Sequence, residues 1–129
     1  MKKKPIVSEN VFKGSDFCHA IKVGNTIYTS GQVGYDRNAH NVKKGDCLAQ
    51  AEQAFENLKH ILEAAGASMK DVVKITYYYR DIEDSEMVRS KVAPKYFGDH
   101  KPAATAVVVH SMVKPDILIE FDVIAVIDE

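Results

Sequence analysis

Ile117-Leu118-Ile119-Glu120-Phe121-Asp122-Val123-Ile124-Ala125-Val126 is a strand with apolar residues on both of its faces. Side chains alternate along extended backbone, so Ile117, Ile119, Phe121, Val123 and Ala125 share one face, and Leu118, Ile124 and Val126 the other. One face can be covered by helices, and the second needs a cover of its own. Glu120 and Asp122 lie two positions apart on that second face, where a carboxylate must be hydrated, paired or functional. Two readings are open for them: an exposed edge or ion pair, or a general acid/base that orients water.

Working outward, Lys114-Pro115-Asp116 is a turn signal, and the nearly all-apolar run at 105–110 before it reads as another strand. Residues 72–79 are β-branched and aromatic, with Ile75, Tyr77 and Tyr79 on one face and Lys74, Thr76 and Tyr78 on the other. Between these strands, 81–84 supplies turn and cap residues for a helix with Met87, Val88, Lys91 and Val92 at helical spacing, limited by Pro94. A longer helix is expected over about 45–65, where Leu48, Ala51, Phe55, Leu58, Leu62 and Ala65 form one stripe, with Asp46 as N-cap and Gly66 closing the end. Near the start, 20–23 and 26–30 alternate about Gly24-Asn25, a two-residue hairpin turn. Ser30-Gly31-Gln32-Val33-Gly34 then leads through a bulge and loop into a turn-forming segment at 35–41. The order is β-β-β-α-β-α-β-β, an α+β fold with a mixed sheet and two helices on one face. The uncovered apolar face predicts a homo-oligomer.

The 129 residues are 46% hydrophobic and 27% charged, without a linker or repeat, so residues 1–129 are expected to form one domain. Seventeen basic and eighteen acidic residues leave a net charge of −1, which gives no field to draw nucleic acid or an anionic membrane. No apolar run approaches the roughly 20 residues of a membrane helix, and no signal sequence follows Met1. A soluble, thiol-reduced, cytoplasmic protein is expected, with Lys2-Lys3-Lys4 as a solvated tail and Cys18 and Cys47 as small core residues. Phosphate-binding, dinucleotide-binding, zinc and nucleophile-elbow motifs are absent, so neither cofactor nor metal is expected. His19 and His110 lie in or beside strands, where an imidazole is packed or on the surface unless a partner equips it for proton transfer. Tyr77-Tyr78-Tyr79 without a basic stripe around it fits sheet packing better than base stacking.

Several segments together resemble the RidA/YjgF family of small trimeric proteins, also labelled endoribonuclease L-PSP. They are Val23-Gly24-Asn25-Thr26-Ile27-Tyr28-Thr29-Ser30-Gly31-Gln32, the helix ending Glu63-Ala64-Ala65-Gly66, Asp71-Val72-Val73-Lys74, Lys101-Pro102-Ala103, Lys114-Pro115-Asp116 and Ile119-Glu120. The resemblance implies a chorismate-mutase-like protomer in a homotrimer with three ligand clefts between protomers, and no cofactor. It implies hydrolysis of reactive imines and enamines, the 2-iminobutanoate/2-iminopropanoate class or an aminomuconate-like relative, to oxo acid and ammonia. In such proteins an arginine grips the substrate carboxylate and a last-strand carboxylate positions water. By that match the arginine position is Ala104, Thr105 and Ala106 line the cleft through their backbone, and the carboxylate is Asp122, with Glu120 beside it. The family's cleft tyrosine falls at Phe17, and Ser30 and Gly31 are kept. An asparagine of the second helix falls at Arg89, which together with His19 is a candidate to bind a substrate anion. The alternative is a non-catalytic metabolite-binding or regulatory trimer using the same cleft. A ribonuclease role is disfavoured by the charge balance.

Overall fold

The computed structural model describes residues 1–38 and 43–129; the end of the turn-forming segment expected at 35–41 lies outside these residues. Strands β2 (Ala20–Val23) and β3 (Thr26–Thr29) pair Val23 with Thr26, leaving Gly24 and Asn25 as the turn, with Gly24 at φ 58°. That left-handed conformation suits glycine. β1 (Lys3–Ile6) pairs antiparallel with β2, which corrects the expectation of a solvated tail. Lys3 and Lys4 project into solvent while Ile6 reaches the core, so a lysine-rich sequence makes an edge strand without burying a charge.

Helix α1 (Cys47–Ala64) starts where the Asp46 carboxylate accepts the Ala49 amide at 3.0 Å, and Gly66 follows its end at φ 83°. Ala51, Phe55, Leu58 and Leu62 are buried as expected, but Leu48 is 38% exposed and Cys47 takes the buried place at the start of the stripe. The buried polar residues of this helix are ties. Gln50 donates to the carbonyls of Lys43 and Asp116 and accepts the Leu118 amide at 2.9 Å, and Asn57 donates to the carbonyls of Val33 and Tyr35. These bonds hold the loop after β3 and the turn before the last strand against one helix.

β4 (Val72–Tyr79) leads into the region expected as a second helix, which is built in three pieces: α2 (Asp84–Met87), a π turn (Val88–Val92) and α3 (Ala93–Phe97). Pro94 lies in the first turn of α3. It has no N–H to bond backward and its ring crowds the preceding turn, so the ladder is interrupted there. β5 (Ala103–Val108) begins and ends two residues earlier than expected. β6 (Ile119–Val126) starts after Leu118, whose amide is already held by Gln50.

The sheet order is β1-β2-β3-β6-β4-β5, antiparallel except for the β4–β5 pair. Phe55 of α1 meets Phe121 at 4.7 Å, Tyr96 at 5.1 Å and Phe97 at 5.7 Å between ring centroids. On β4, Ile75, Tyr77 and Tyr79 turn toward this core, where Tyr77 and Tyr79 stack at 6.0 Å. Lys74, Thr76 and Tyr78 lie on the opposite face with Glu120, Asp122 and Ile124, half-buried. All six residues of β5 are exposed. Among the described residues no helix is long and apolar enough to cross a membrane.

Candidate functional site

The chain leaves β3 through Ser30, Gly31 and Gln32. The Ser30 amide donates to the His19 carbonyl and its hydroxyl to the Cys18 carbonyl at 2.7 Å, while Gln32 and Phe121 exchange backbone bonds at 2.7 and 3.0 Å. That bridge brings Gly31 directly against Glu120. A Cβ at Gly31 would sit 2.0 Å from Glu120 Oε2, so the carboxyl occupies the space any other residue would need. Among the described residues the Gly31 N–H has no hydrogen-bond partner.

Glu120 lies in a cleft of about 380 Å³ whose walls include Phe12, Phe17, Tyr35 and Val113, together with Ser30 and Gly31. Its carboxyl has no ion pair or hydrogen bond among the described residues. Burial, and then the negative charge of Asp122, raises its pKa above the ordinary carboxylate value. A desolvated carboxyl of this kind keeps its proton to higher pH and takes one up more readily. Asp122 lines no part of the cleft; it accepts the Tyr78 hydroxyl at 3.0 Å across the strand pair. Burial and that bond raise the Tyr78 phenol in turn.

The other sequence-named residues fall in distinct places. His19 is 1% exposed. Its Nδ1 accepts the Ser8 amide at 3.0 Å, so Nε2 carries the proton and donates to the Phe12 carbonyl at 2.8 Å. Both ring nitrogens are thus engaged in holding the 8–12 loop, and with it Phe12, at the cleft. Arg89 and Ala104 meet in a second pocket of about 230 Å³ on the helix side of the sheet, lined also by Tyr77, His100 and Lys101. The Arg89 guanidinium is exposed and pairs with Glu86 at 3.2 Å. Thr105 lies across the sheet from that pocket, accepting Lys74 Nζ at 2.6 Å, and Ala106 follows on the exposed β5. One protomer therefore gathers Phe17, Ser30, Gly31 and Glu120 in one place and Arg89 with Ala104 in another.

Cys47 is buried, and burial pushes its thiol up to about 12. Cys18 is half-exposed, not the core residue expected, and its Sγ donates to the Ala20 carbonyl at 3.3 Å. A thiol raised in this way, as at Cys47, is a poor nucleophile. Phe12, Tyr35 and Val113 went unnoticed in the sequence because they stand in loops, where no periodicity marks a wall; the signal available was an aromatic residue isolated in a polar segment.

The family model described as Endoribonuclease L-PSP matches residues 10–127. The chain belongs to this family. A RutC family protein of Pyrococcus abyssi is 43% identical over 126 residues, covering 97% of this chain and 98% of its own. A 2-iminobutanoate/2-iminopropanoate deaminase of Dermatophagoides farinae is 35% identical over 112 residues, 87% of this chain and 86% of its own. Among solved structures, RidA from an Antarctic Psychrobacter superposes with a TM-score of 0.88 at 36% identity, covering 96% of this chain and 99% of that one. The endoribonuclease L-PSP fold is thus common to a chain with Ala104 and Phe17 and to relatives named as imine deaminases.

Proposed function

We propose that this protein is a cofactor-independent hydrolase that converts reactive imines and enamines to oxo acid and ammonia. The observation that carries the reading is the desolvated Glu120 carboxyl, without an ion pair or hydrogen bond among the described residues, held against Gly31 in a largely apolar cleft. In its ionised form Glu120 orients a water and takes a proton from it as the oxygen adds to the imine carbon. It then passes that proton to the nitrogen, and the remaining hydroxyl proton follows by the same route, so that ammonia leaves as the carbonyl forms. A carboxyl whose pKa is raised by burial and by Asp122 is a stronger base than an ordinary carboxylate, which suits the first transfer. The Gly31 N–H, without a partner among the described residues, is a donor available at the cleft for an oxygen of the substrate. The imine-deaminase name borne by the Dermatophagoides relative agrees with this chemistry.

The substrate carboxylate needs a cation that the cleft itself lacks. Arg89 supplies it: with Ala104 on β5 contributing no charge, the guanidinium reaches the same pocket from the helical segment. A homotrimer would cover the exposed β5 and the helix-free face, and in it the Arg89 pocket of one protomer would complete the Glu120 cleft of another. A small molecule is the ligand. Tyr77 and Tyr79 are buried, so they offer no face for stacking bases.

Ammonia release from freshly generated 2-aminoacrylate and 2-iminobutanoate tests the reading. Acceleration that is lost in Glu120→Gln and weakened in KM by Arg89→Ala supports it; no acceleration by the parent protein refutes it. The absent guanidinium at Ala104 and absent hydroxyl at Phe17 favour a second reading, a metabolite-binding or regulatory trimer. That reading requires binding of small 2-oxo acids without any turnover.

A further inference from the structure

Three aromatic rings line the cleft that holds Glu120. Phe12 and Tyr35 form a T-shaped pair at 5.8 Å and 90°, one face of the cleft. Phe17 stands 55% exposed at the rim, its ring packed over Gly14, where a Cβ would come within 2.5 Å of it. The Ser30 hydroxyl already donates to Cys18, and no cationic side chain lines the cleft among the described residues. The resulting cleft, about 380 Å³ in volume, has Phe12, Phe17, Tyr35, Val33 and Val113 as its apolar wall, with Glu120, Ser30 and Gln32 as polar lining and Lys114 over the Tyr35 ring at 5.7 Å. A dry cavity of about 150 Å³ suffices for benzene, so a ring-sized side chain and an imino acid head fit together here. A methyl side chain would leave those rings facing water.

We infer that the cleft selects imines derived from amino acids with large apolar side chains, aromatic ones above all, which lie among Phe12, Phe17 and Tyr35 while Glu120 serves the imine carbon. This inference rests on the imine-hydrolase reading and names the substrate class for it. Small side chains gain no contact with the rings.

The test compares imines generated in place by an amino-acid oxidase from phenylalanine, leucine and alanine, with the remaining imine trapped by semicarbazide. A single methylene in an apolar pocket discriminates by about 10- to 200-fold. The expected kcat/KM for the phenylalanine imine thus exceeds that for the alanine imine by on the order of 100-fold, with leucine between. Phe17→Ala should collapse that ratio by at least about tenfold, and Phe17→Leu, which keeps apolar bulk, should retain part of it. In parallel, calorimetry with phenylpyruvate and pyruvate reads the cleft without turnover. Equal or better handling of the alanine imine, or equal affinity for the two oxo acids, overturns the inference. Preference for phenylpyruvate with no turnover of any imine supports the inference and refutes the reaction.

Discussion

Gly31→Ala is expected to separate catalysis from folding. The new Cβ would stand 2.0 Å from Glu120 Oε2 and 2.8 Å from its Cδ, whereas ordinary contact begins at 3.4 Å. The carboxyl therefore has to retreat by about 1.4 Å, as the difference between those distances requires. It is the far end of a flexible side chain, and Gly31 is not among the glycines with a left-handed φ, so neither strand has to move. A displacement of about 1 Å in a reacting group costs on the order of 100-fold in rate, so kcat/KM for imine hydrolysis should fall by at least about that factor. Ammonia release gives the rate, and a thermal melt on the same preparation gives the stability, which should stay within about 1 kcal/mol of the parent. Undiminished turnover with an unchanged melt would refute the assignment of Glu120 as the water-orienting group. A large fall in melting temperature would instead show that the backbone cannot keep its course around residue 31.

Other perturbations read neighbouring parts of the design. Asp122→Asn removes the negative charge that helps raise Glu120; if ionised Glu120 is the active form, turnover rises with pH through its midpoint, and that midpoint should move to lower pH in the variant. An unshifted pH profile would uncouple the two carboxyls. Glu120→Gln should abolish turnover yet raise the melting temperature at neutral pH. Folding lifts the Glu120 pKa above its ordinary 4.5, so the ionised residue opposes the fold above the raised value, and the gain should vanish below about pH 4.5, where Glu is neutral in both states. Leu58→Ala, at a site with 0% exposure, should cost about 2 to 5 kcal/mol in denaturant unfolding. Asp46→Ala, which deprives the Ala49 amide of its cap, should cost about 1 kcal/mol in the same experiment.

Local chemistry made much of the fold readable. Gly24-Asn25 marked a turn by what glycine tolerates, and Phe55, Leu58 and Leu62 marked a helix by recurrence. What failed depended on distance. Leu48 fits the stripe by spacing, yet the buried place at the start of α1 goes to Cys47, since the angle at which the helix crosses the sheet is a tertiary property. Lys3 and Lys4 carry no apolar alternation because an edge strand needs none on its outer side. At the site, the pair of carboxylates stood out in the sequence, but which of them enters the cleft follows from the bridge between Gln32 and Phe121, a register set by residues far apart in the chain. The association of Arg89 with Ala104 likewise belongs to the packing of a helix over a strand. Phe12 and Tyr35 are placed by His19 and Asn57 through bonds to their backbone, and no one-dimensional pattern announces such a tether.

The two borders of the sheet differ in kind. β1 offers Lys3, Lys4 and Pro5, the last with no N–H to share, whereas β5 offers Ala103 through Val108 without a single charge. A fibril lengthening strand by strand needs two receptive borders, because every newcomer must both attach and present a fresh place of attachment. Here one border carries two lysines and has no N–H at Pro5, which disfavours a newcomer there, so addition at the other does not propagate. The sequence at the amino end thus acts as a terminator, leaving the protein free to carry an uncharged strand on its opposite flank without inviting endless polymerisation.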